Sequence, residues 1–413
     1  MDVLMLVQSD VAHDARVLRE ARSLAQEGHA IHIVGKDVPP TWVPPTGVTV
    51  QSVSGGSGLK PGMGGGGAAS GDGSGAGNSG GGGSRRGLTG KLRSTARWAL
   101  LPHHRQRVWR TWCAHAEAAV AQRTFDVVHA HDFNVLRLAA ALADRWGARL
   151  VYDSHEWWSG RERHGRPTPL ERAGERRIER RIVARADAVL TVSQGIADRL
   201  GRWRSGPVTV VRNTFPRRDD LGGGAGNGLP DRPCGAVYAG RIGAARDIET
   251  LIEATSRLRL DTVLMGKADR EFLPKLRVAD GTVRLAPARP VDEVDEVLRR
   301  VGISVVTLTD SCENHRLALP NKVFHAVRAG VPVVAADLPE LRRLVTAYGI
   351  GALYRSGDAE SMRAALQQVT EDYPAYCERV ARARADLSWE QDARALVGVY
   401  ESLTGEPLSA AAR

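Results

Sequence analysis

Residues 317–340 read LALPNKVFHAVRAGVPVVAADLPE, and this stretch decides the fold. Pro320 and Asn321 predict the start of a short helix, with Asn321 at the N-cap position, where its side-chain oxygen can accept a free backbone N–H. Gly330 predicts the C-terminal cap of that helix. The run VPVVA at 331–335 is apolar and β-branched, which is typical of a buried parallel strand. A helix that begins after the loop at a strand end is also a ready anion-binding site.

Strands and helices alternate outward from this unit. The predicted strands are residues 3–7, 30–34, 126–130, 149–152, 188–192 and 208–211 in the first half, and 236–239, 262–265, 282–285 and 303–307 in the second. The predicted helices cover 14–27, 134–146, 169–186, a segment from 247, 271–278 and 291–300. This α/β pattern, repeated twice, predicts two doubly wound parallel sheets. Ligands of such sheets bind outside the carboxyl ends of the strands, so with two domains we expect the site in the cleft between them.

Shifts in composition divide the chain into segments. Residues 54–84 hold 16 glycines in 31 positions. They carry too little apolar bulk to offset the entropy of ordering, so we expect a disordered insertion there. The stretch 216–233 is the clearest linker. These features predict an N-terminal domain at 1–215, a C-terminal domain at 234–388 and a final helix within 389–413.

Basic residues concentrate between the glycine-rich insertion and the next strand. The 413-residue chain has a net charge of +10, and residues 85–123 hold nine Arg or Lys and a single acid, Glu117. Such a patch attracts anionic partners. Its tryptophans, Trp98, Trp109 and Trp112, allow two interpretations: packing of an ordinary helix on the sheet, or peripheral contact with an anionic membrane. The sequence leaves both open.

Other features exclude several classes of protein. The chain has no apolar run of about 18 residues and no basic region at its N-terminus, so we expect neither a membrane-spanning helix nor a signal peptide. Four dispersed cysteines without a CxxC pair indicate a reducing cytoplasm and no disulfides. No recognition-helix, OB-fold or RRM signature is present, so no nucleic-acid partner is expected.

Several stretches resemble glycosyltransferase family 4, a family of retaining enzymes with the GT-B fold. The order of residues in 317–340 resembles the family's nucleotide-binding helix and strand, and SDVAHDARVLREARSLAQEGHAIHIV at 9–34 resembles its opening β-α-β unit. The resemblance covers almost the whole chain except 54–125 and the linker. It implies two Rossmann-like doubly wound domains facing across a cleft, the first binding an acceptor and the second a nucleotide sugar. It also implies that the final helix returns to the first domain.

The segment YAGRIGAARD at 238–247 resembles the loop with which the family grips the donor diphosphate. Arg241 matches the family's arginine, and Arg246 stands where a lysine is usual. An arginine there keeps the positive charge and adds bidentate geometry. The resemblance implies this donor-binding set: Gly240, Arg241, Arg246, Asn321, Lys322 and His325. It implies a nucleotide-diphosphate sugar as co-substrate and no bound cofactor.

The segment VYDSHE at 151–156 resembles the family's D-x-H-E motif at a strand end, where the histidine projects towards the reacting sugar. The resemblance implies a catalytic set of His155 and Glu156 together with Arg241 and Arg246. The role expected of His155 is to orient sugar or acceptor hydroxyls, with proton transfer as a further option. The alternative interpretation of this histidine is a hydrogen-bonded residue of the core.

The acceptor-binding residues implied by the resemblance come from two other strand ends. They are His13, Asp14 and Arg16 after the first strand, and His131 and Asp132 in the segment HAHDFN at 129–134. Two histidines and an aspartate also suggest a metal site, but no fourth ligand is spaced to match. GT-B enzymes generally neutralise the leaving diphosphate with basic side chains and helix dipoles, so no metal is expected.

One departure from the family concerns the helix that follows Pro320. The family often carries two glutamates separated by seven residues, the second binding the donor ribose. This sequence has Leu317 and His325 at those positions. Histidine can still hydrogen-bond a ribose hydroxyl, although it is a weaker acceptor than a carboxylate. The upstream segment 313–315, ENH, is a candidate to take over the sugar contacts.

The resemblance predicts a hexosyltransferase-like enzyme that moves a sugar from a nucleotide-activated donor to a hydroxyl acceptor with retention of configuration. The acceptor is a sugar, an aglycone or a lipid-linked molecule. One alternative is a nucleotide-sugar 2-epimerase of the same architecture, which would need a further acid/base pair that the sequence does not display. Another is a basic, non-enzymatic binding protein for an anionic polymer or membrane.

Overall fold

The computed structural model describes residues 1–54, 108–162, 169–218, 228–244, 246–270, 272–273, 276 and 281–405. Nearly all of the predicted disordered insertion, most of the predicted helix 271–278 and half of the predicted linker lie outside the described residues. Trp98 does too. Across the described residues, none of the helices is long and apolar enough to cross a bilayer.

A first parallel sheet has seven strands in the order β3-β2-β1-β4-β5-β6-β7. The strands are β1 (Asp2–Asp10), β2 (Ala30–Lys36), β3 (Val48–Ser52), β4 (Val127–His131), β5 (Arg149–Ser154), β6 (Ala188–Thr191) and β7 (Val208–Val210). The central strands are apolar runs rather than alternating sequences, and every residue of β4 is buried. Continuous burial of this kind is expected where helices cover both faces of a parallel sheet.

A second parallel sheet has six strands in the order β10-β9-β8-β11-β12-β13. The strands are β8 (Gly235–Ala239), β9 (Thr262–Met265), β10 (Val283–Ala286), β11 (Gly302–Val306), β12 (Val333–Ala336) and β13 (Gly351–Tyr354). All of its neighbouring strands pair in parallel. The order reverses between β8 and β11, and a doubly wound sheet binds ligands at such a switch point. Two doubly wound parallel sheets were the predicted fold class, and the structure confirms them.

Most of the described helices lie between successive strands, and three follow the last strand. The helices are α1 (Ala15–Gln26), α2 (residues 108–119), α3 (Phe133–Trp146), α4 (Pro169–Val183), α5 (Gln194–Gly201), α6 (Ile248–Leu258), α7 (Val291–Val301), α8 (Glu313–Leu317), α9 (Asn321–Ala329), α10 (Pro339–Tyr348), α11 (Ala359–Glu371), α12 (Tyr373–Ala383) and α13 (Trp389–Thr404). Helix α9 ends at Gly330, whose φ of 81° is left-handed, as predicted. One detail of α9 was wrong: Pro320 is the N-cap, and Asn321 is already the first helical residue.

Compact packing divides the chain into two units. The first comprises Met1–Leu150 with Arg163–Glu179, and the second comprises Val151–Glu162 with Arg180–Arg413. In the first unit Trp112 of α2 is fully buried and the indole N–H of Trp109 donates to the carbonyl of Asn134. These two tryptophans of the basic stretch therefore take part in packing and hydrogen bonding within the protein.

Helix α13 is held within the second unit by specific polar contacts. The Trp389 amide donates to the Phe215 carbonyl at 2.9 Å. The buried Asp392 carboxylate accepts from the Thr214 hydroxyl at 2.6 Å and from Arg212 at 3.0 Å. Buried polar groups are stable only when partnered in this way, so these bonds fix where the last helix lies on the segment after β7.

Candidate active site

A pocket of about 450 Å³ opens outside the carboxyl ends of β8, β9 and β10. It is lined by Ala239, Gly240, Arg241, Met265, Gly266, Lys267, Asp269, Ala288, Arg289, Val294 and His325. Its size lies within the range of about 300–1,000 Å³ that small-molecule sites occupy. Arginine and lysine outnumber acids among these lining residues, so the pocket suits an anionic ligand.

The floor of the pocket requires glycine at two positions. A Cβ at Gly240 would lie 2.7 Å from Cε of Lys322, and a Cβ at Gly266 would collide with the carbonyl oxygen of Gly240. The loops after β8 and β9 also pair, since the Ile242 amide donates to the Lys267 carbonyl at 3.0 Å. The loop after β8 that carries Gly240 and Arg241, here called the Gly-Arg loop, is therefore held in place with its backbone close to the pocket.

Arg241 is presented from this loop by two contacts. The Tyr238 hydroxyl donates to the Arg241 carbonyl at 2.6 Å, and burial raises the pKa of Tyr238 to about 12, so the hydroxyl keeps its proton. The Arg241 guanidinium bonds Asp269 through Nε at 2.9 Å and Nη2 at 2.8 Å, yet its side chain is 63% exposed. An exposed ion pair of this kind contributes at most about 1 kcal/mol. Its guanidinium can therefore be redirected to a ligand at little cost.

Lys322 lies at the start of α9 and points under the same loop. Its Nζ is 4.8 Å from the centroid of the Tyr238 ring, within the range of a cation–π contact. Burial, followed by the neighbouring charge of Arg246, lowers the pKa of Lys322 to about 8. Arg241, Arg246 and Lys322 thus converge on the Gly-Arg loop, and an anion placed there would relieve the repulsion between the last two.

The amino end of α9 adds backbone donors to these cations. Pro320 provides no side-chain cap, and Asn321 instead uses its side-chain oxygen to accept from the Asn213 amide at 2.9 Å. The first N–H groups of a helix have no intrahelical partners and carry the positive end of the helix dipole. The side chain of Asn321 therefore positions the helix start and does not cap it.

Asp247 organises the junction between the Gly-Arg loop and α6. Its φ of 56° is left-handed, a conformation that aspartate tolerates better than most residues. Its buried carboxylate accepts from the hydroxyls of Thr250 at 2.5 Å and Tyr354 at 2.8 Å, and from the Gly357 amide at 3.1 Å. Because Arg246 directly precedes this anchored residue, Asp247 sets the backbone position from which Arg246 extends.

Asp247→Ala is expected to lower the free energy of unfolding by about 3 kcal/mol, because three donors lose their acceptor and alanine strains the left-handed backbone. Chemical denaturation of the full chain measures this loss. Asp247→Asn is the matched control, since it keeps one oxygen and tolerates the same φ, and it should lose clearly less. An alanine variant as stable as wild type would contradict the structural role of this carboxylate.

His155 and Glu156 follow directly after β5, in the second unit. The Nε2 of His155 bonds the fully buried Asp153 carboxylate at 2.8 Å, and the histidine side chain is 19% exposed. Glu156 forms an ion pair with Arg161 and accepts from the Asn314 amide at 3.2 Å. His155 is therefore oriented by a carboxylate, while the charge of Glu156 is balanced by an arginine.

The side chains of residues 313–315, the upstream segment considered for sugar contacts, bond other groups of the protein. Glu313 accepts from the indole N–H of the buried Trp157 at 2.8 Å and pairs with Arg199. Asn314 accepts from the Trp157 amide at 2.8 Å, and His315 bonds the Thr309 carbonyl at 2.8 Å. Glu313 and Asn314 thus hold the turn after β5 against α8, and His315 ties α8 to the loop after β11.

The five predicted acceptor residues lie in the first unit and differ in accessibility. His13 is 79% exposed and bonds Asp10 at 2.8 Å, while Asp14 caps α1 through the Val17 amide. Asp132 is partly buried at the N-cap of α3 with a left-handed φ of 67°. Arg16 and His131 are 3% and 1% exposed, so their side chains face the interior.

The interior of the first unit contains a polar cluster that brings the two histidines of the segment HAHDFN to a buried ion pair of α1. Arg16 pairs with Glu20 at 3.0 Å, and the stacked rings of His129 and His131 have centroids 4.3 Å apart. Glu20, His129 and His131 bring possible ligand atoms within 4.8 Å of one another. The nearby Arg16 already balances the charge of Glu20, and the expectation that the enzyme needs no metal stays a prediction.

Several residues of the pocket region escaped the sequence-based prediction. They are Tyr238, Asp247, Lys267, Asp269, Arg289 and Asp295. Asp247 had a signal that could have identified it, because an aspartate immediately before a helix is a common cap. The others lie on loops or buried faces that come together only in the folded sheet.

Two family models match the chain, with a short gap between them. The model described as "Glycosyl transferase 4-like domain" matches residues 13–214, and "Glycosyl transferases group 1" matches residues 234–372. The D-inositol 3-phosphate glycosyltransferase of Stackebrandtia nassauensis is 29% identical over 319 residues, or 69% of this chain and 70% of that protein. A glycogen synthase of Mycobacterium tuberculosis is 26% identical over 302 residues, or 67% and 68%.

Solved structures resemble the chain over nearly its whole length. Sucrose-phosphate synthase from Thermosynechococcus elongatus has a TM-score of 0.69 at 15% identity, covering 98% of this chain and 99% of that one. HepE of Anabaena, solved in complex with UDP-glucose, has a TM-score of 0.63 at 15% identity, covering 98% and 100%. At such low identity the likeness concerns the fold alone, and it confirms the predicted GT-B class.

Proposed function

This chain belongs to the family 4 glycosyltransferases, and we propose that it transfers a hexosyl group, with retention, from a nucleotide-diphosphate sugar bound on the Gly-Arg loop. The observation that carries the proposal is the convergence of Arg241, Arg246 and Lys322 at the uncapped start of α9. Cations and helix amides placed around a leaving diphosphate stabilise the charge that develops on it as the sugar departs. In this proposal those groups supply the stabilisation, and no step uses a metal.

The nucleotide is proposed to occupy the pocket outside β8, β9 and β10. The diphosphate would bond the guanidinium of Arg241, displacing Asp269, while its charge pairs with Lys322 and Arg246. The ribose would face His325, and the base would lie towards Met265 and Ala288. The pocket is lined by both cationic and less polar residues, which supports a ligand with one charged part and one less polar part.

Retention is proposed to proceed without a covalent sugar–enzyme intermediate. The acceptor hydroxyl attacks the anomeric carbon on the face from which the diphosphate leaves. The departing phosphate oxygen accepts the proton of the hydroxyl group. The nucleoside diphosphate therefore leaves with that proton, and no nucleophilic carboxylate is needed. Glu156, with its charge paired to Arg161, does not have the environment of an activated nucleophile. His155, held by Asp153, would orient the reacting sugar.

The proposed acceptor is a soluble sugar or aglycone hydroxyl. The basic stretch supplied the argument for a lipid-linked acceptor, and two of its tryptophans, Trp109 and Trp112, engage the protein itself. The curated relatives include one named for inositol phosphate and one named for glycogen. Polar polyol acceptors are therefore the first class to test.

A donor panel tests the proposal directly. The full chain is incubated with UDP-glucose, GDP-mannose, ADP-glucose and dTDP-glucose, each with a mixture of inositol phosphate and simple sugars, and free nucleoside diphosphate is measured. We expect one donor to release diphosphate and yield a glycoside whose anomeric configuration, measured by NMR, matches that of the donor. A product of inverted configuration would contradict retention. Conversion to the 2-epimer without transfer would favour the epimerase alternative.

His155→Ala is expected to reduce turnover about tenfold or more while changing nucleotide affinity little, because this residue is assigned to the sugar and not to the diphosphate. Steady-state kinetics and calorimetric titration of the nucleoside diphosphate separate the two effects. His115→Ala, at an exposed histidine of α2, is the matched control. A loss of nucleotide affinity with unchanged turnover would place His155 elsewhere.

A further inference from the structure

A short stretch after β7, residues 212–216, contacts both α13 and α9, and we call it the post-β7 segment. On the α13 side, the Thr214 hydroxyl donates to the Asp392 carboxylate at 2.6 Å, and Nε of Arg212 donates to the same carboxylate at 3.0 Å. Asp392 is 1% exposed and Thr214 is fully buried. Because a buried carboxylate needs such donors, these two bonds anchor the segment to the last helix.

On its other side the post-β7 segment contacts α9. The side-chain amide of Asn213 donates to the side-chain oxygen of Asn321 at 2.9 Å, and the Phe215 ring packs against His325 with ring centroids 4.2 Å apart. Neighbouring side chains of the segment therefore face different helices. Contacts that alternate in this way are those of an extended chain, in which successive side chains point to opposite sides. The segment thus connects the carboxylate of Asp392 to α9 through adjacent residues.

The contacts on α9 follow one face of the helix. Asn321 and His325 are four residues apart, and Arg328, whose Nε donates to the Pro216 carbonyl at 3.0 Å, lies three residues further on. Positions at this spacing share one side of a helix. Apolar side chains cover the opposite side: Val323, Ala326 and Val327. Apolar packing has no preferred direction, so the directed contacts on the first face determine where α9 lies along its axis.

Asp295 of α7 holds the later part of the same face. Its buried carboxylate lies 3.4 Å from Nδ1 of His325 and pairs with the guanidinium of Arg328. The post-β7 segment adds the contact at Asn321, the first residue of α9. Different elements therefore hold the two parts of the helix, and its amino end depends on the segment.

The amino end of α9 belongs to the candidate site. Lys322 follows Asn321 directly and lies under the Gly-Arg loop, and His325 lines the pocket. Asp392 is not one of the described residues that line the pocket. A misplacement of about 1 Å in a site of this kind can lower the rate about 100-fold. A residue outside the pocket therefore affects binding if it sets the position of α9.

We infer that Asp392 is a positioning residue for nucleotide binding, because through the post-β7 segment it fixes the place of α9 and so of Lys322 and His325. This inference rests on the proposed function, since it assumes that a nucleoside diphosphate occupies the pocket. Substitutions that act through such a chain of contacts typically change affinity by about two- to thirtyfold.

Three substitutions release α9 at different points of this chain of contacts. Asp392→Ala removes the acceptor of both donors, Thr214→Val removes one hydroxyl with little change in shape, and Asn213→Ala cuts the segment from the start of α9. Thr255→Val is the matched control, because it removes an equally buried hydroxyl from α6. The Thr255 hydroxyl bonds the Leu251 carbonyl of its own helix at 2.9 Å, and not the post-β7 segment.

The experiment combines two readouts on the full chain. Calorimetry measures the affinity for UDP, or for GDP if UDP does not bind, under conditions where each variant is folded. NMR of protein labelled with carbon-13 histidine reports the His325 ring without any nucleotide, and His325→Gln assigns its signal. Because Phe215 packs on this ring, its ring current shifts the His325 signal, and movement between the segment and α9 changes that shift.

Asp392→Ala is expected to shift the His325 signal and to weaken nucleotide binding about tenfold. Thr214→Val should change both in the same direction but less, and Thr255→Val should change neither. The double variant Asp392→Ala/Asn213→Ala should lose less than the product of the two single losses, because both substitutions release the same helix.

Three results would overturn the inference. One is a folded Asp392→Ala variant in which either the nucleotide affinity or the His325 signal is unchanged. Another is a Thr255→Val control that weakens binding as much as Thr214→Val. The third is a double variant whose loss equals the product of the single losses, which would mean that Asp392 does not act through the segment.

Two further outcomes leave the test intact. If Asp392→Ala does not fold, Thr214→Val carries the same comparison with a smaller change. If no nucleoside diphosphate binds the wild-type protein, the proposed function fails, while the His325 signal still decides whether Asp392 holds α9 in place.

Discussion

Arg241→Ala is expected to reduce turnover by about 100- to 1,000-fold, the loss typical of removing one preorganised donor to developing negative charge. The guanidinium sits on a loop that Tyr238 and the close approach of Gly266 hold in place, so binding a diphosphate requires little reorganisation. The loss should appear in kcat as well as in nucleotide affinity, because the charge on the leaving diphosphate grows as the sugar bond breaks. Initial rates with the donor identified by the panel measure it.

The fold should survive this substitution. Arg241 is 63% exposed and its ion pair with Asp269 lies at the surface, so the free energy of unfolding should change by less than about 1 kcal/mol. Arg257→Ala is the matched control, because this half-exposed arginine of α6 pairs with Glu253 and does not line the pocket. Wild-type turnover in a normally folded Arg241→Ala variant would show that the diphosphate binds elsewhere.

Nucleotide affinity is expected to fall as pH rises through about 8, because Lys322 must be charged to bind the diphosphate. Burial and Arg246 lower its pKa to about 8 in the free protein, so the complex takes up a proton near that pH. Above it, affinity should drop by up to about tenfold per pH unit. The pH dependence of folding stability has the opposite sign. From about pH 8 upward the unfolded chain holds more protons at this lysine, so the contribution of Lys322 to the free energy of unfolding rises with pH.

Titration of the nucleoside diphosphate at pH 7 and pH 10 measures this dependence, and two buffers of different ionisation enthalpy reveal the proton uptake. Lys322→Met should bind weakly with a much flatter pH profile, whereas Lys322→Arg stays charged throughout and is the control for charge. Wild-type affinity that does not change between these pH values would mean that Lys322 does not contact the diphosphate.

Much of the fold could be predicted because its signals are local. Continuous apolar runs identified most of the buried strands, and Gly330 identified the end of α9. The position of Asn321 was misjudged since Asn is a good N-cap, but here its side chain bonds Asn213 and Pro320 takes the cap. Helix boundaries depend on such tertiary competition, which local preference does not contain.

The polar contacts that shape the site could not be predicted from local pattern. Trp157 and Glu313 are 156 residues apart in sequence, and the hydrogen bond between them exists only because the turn after β5 meets α8. Arg16 and Glu20 look like an exposed helical pair, yet both are buried. The resemblance identified the Gly-Arg loop. The roles of Tyr238, Asp269 and Asp295 could be recognised only from the folded sheet.

The most direct test of the central claim is a calorimetric comparison of a nucleoside diphosphate with its monophosphate on wild-type protein and Arg241→Ala. If the Gly-Arg loop and α9 grip a diphosphate, the diphosphate should bind wild type at least about 100-fold more tightly, since each charge-assisted contact contributes roughly 1.5–3 kcal/mol. Most of that preference should disappear in Arg241→Ala. Equal affinities for the two nucleotides on wild-type protein would contradict the assignment of this loop as the site of the leaving diphosphate.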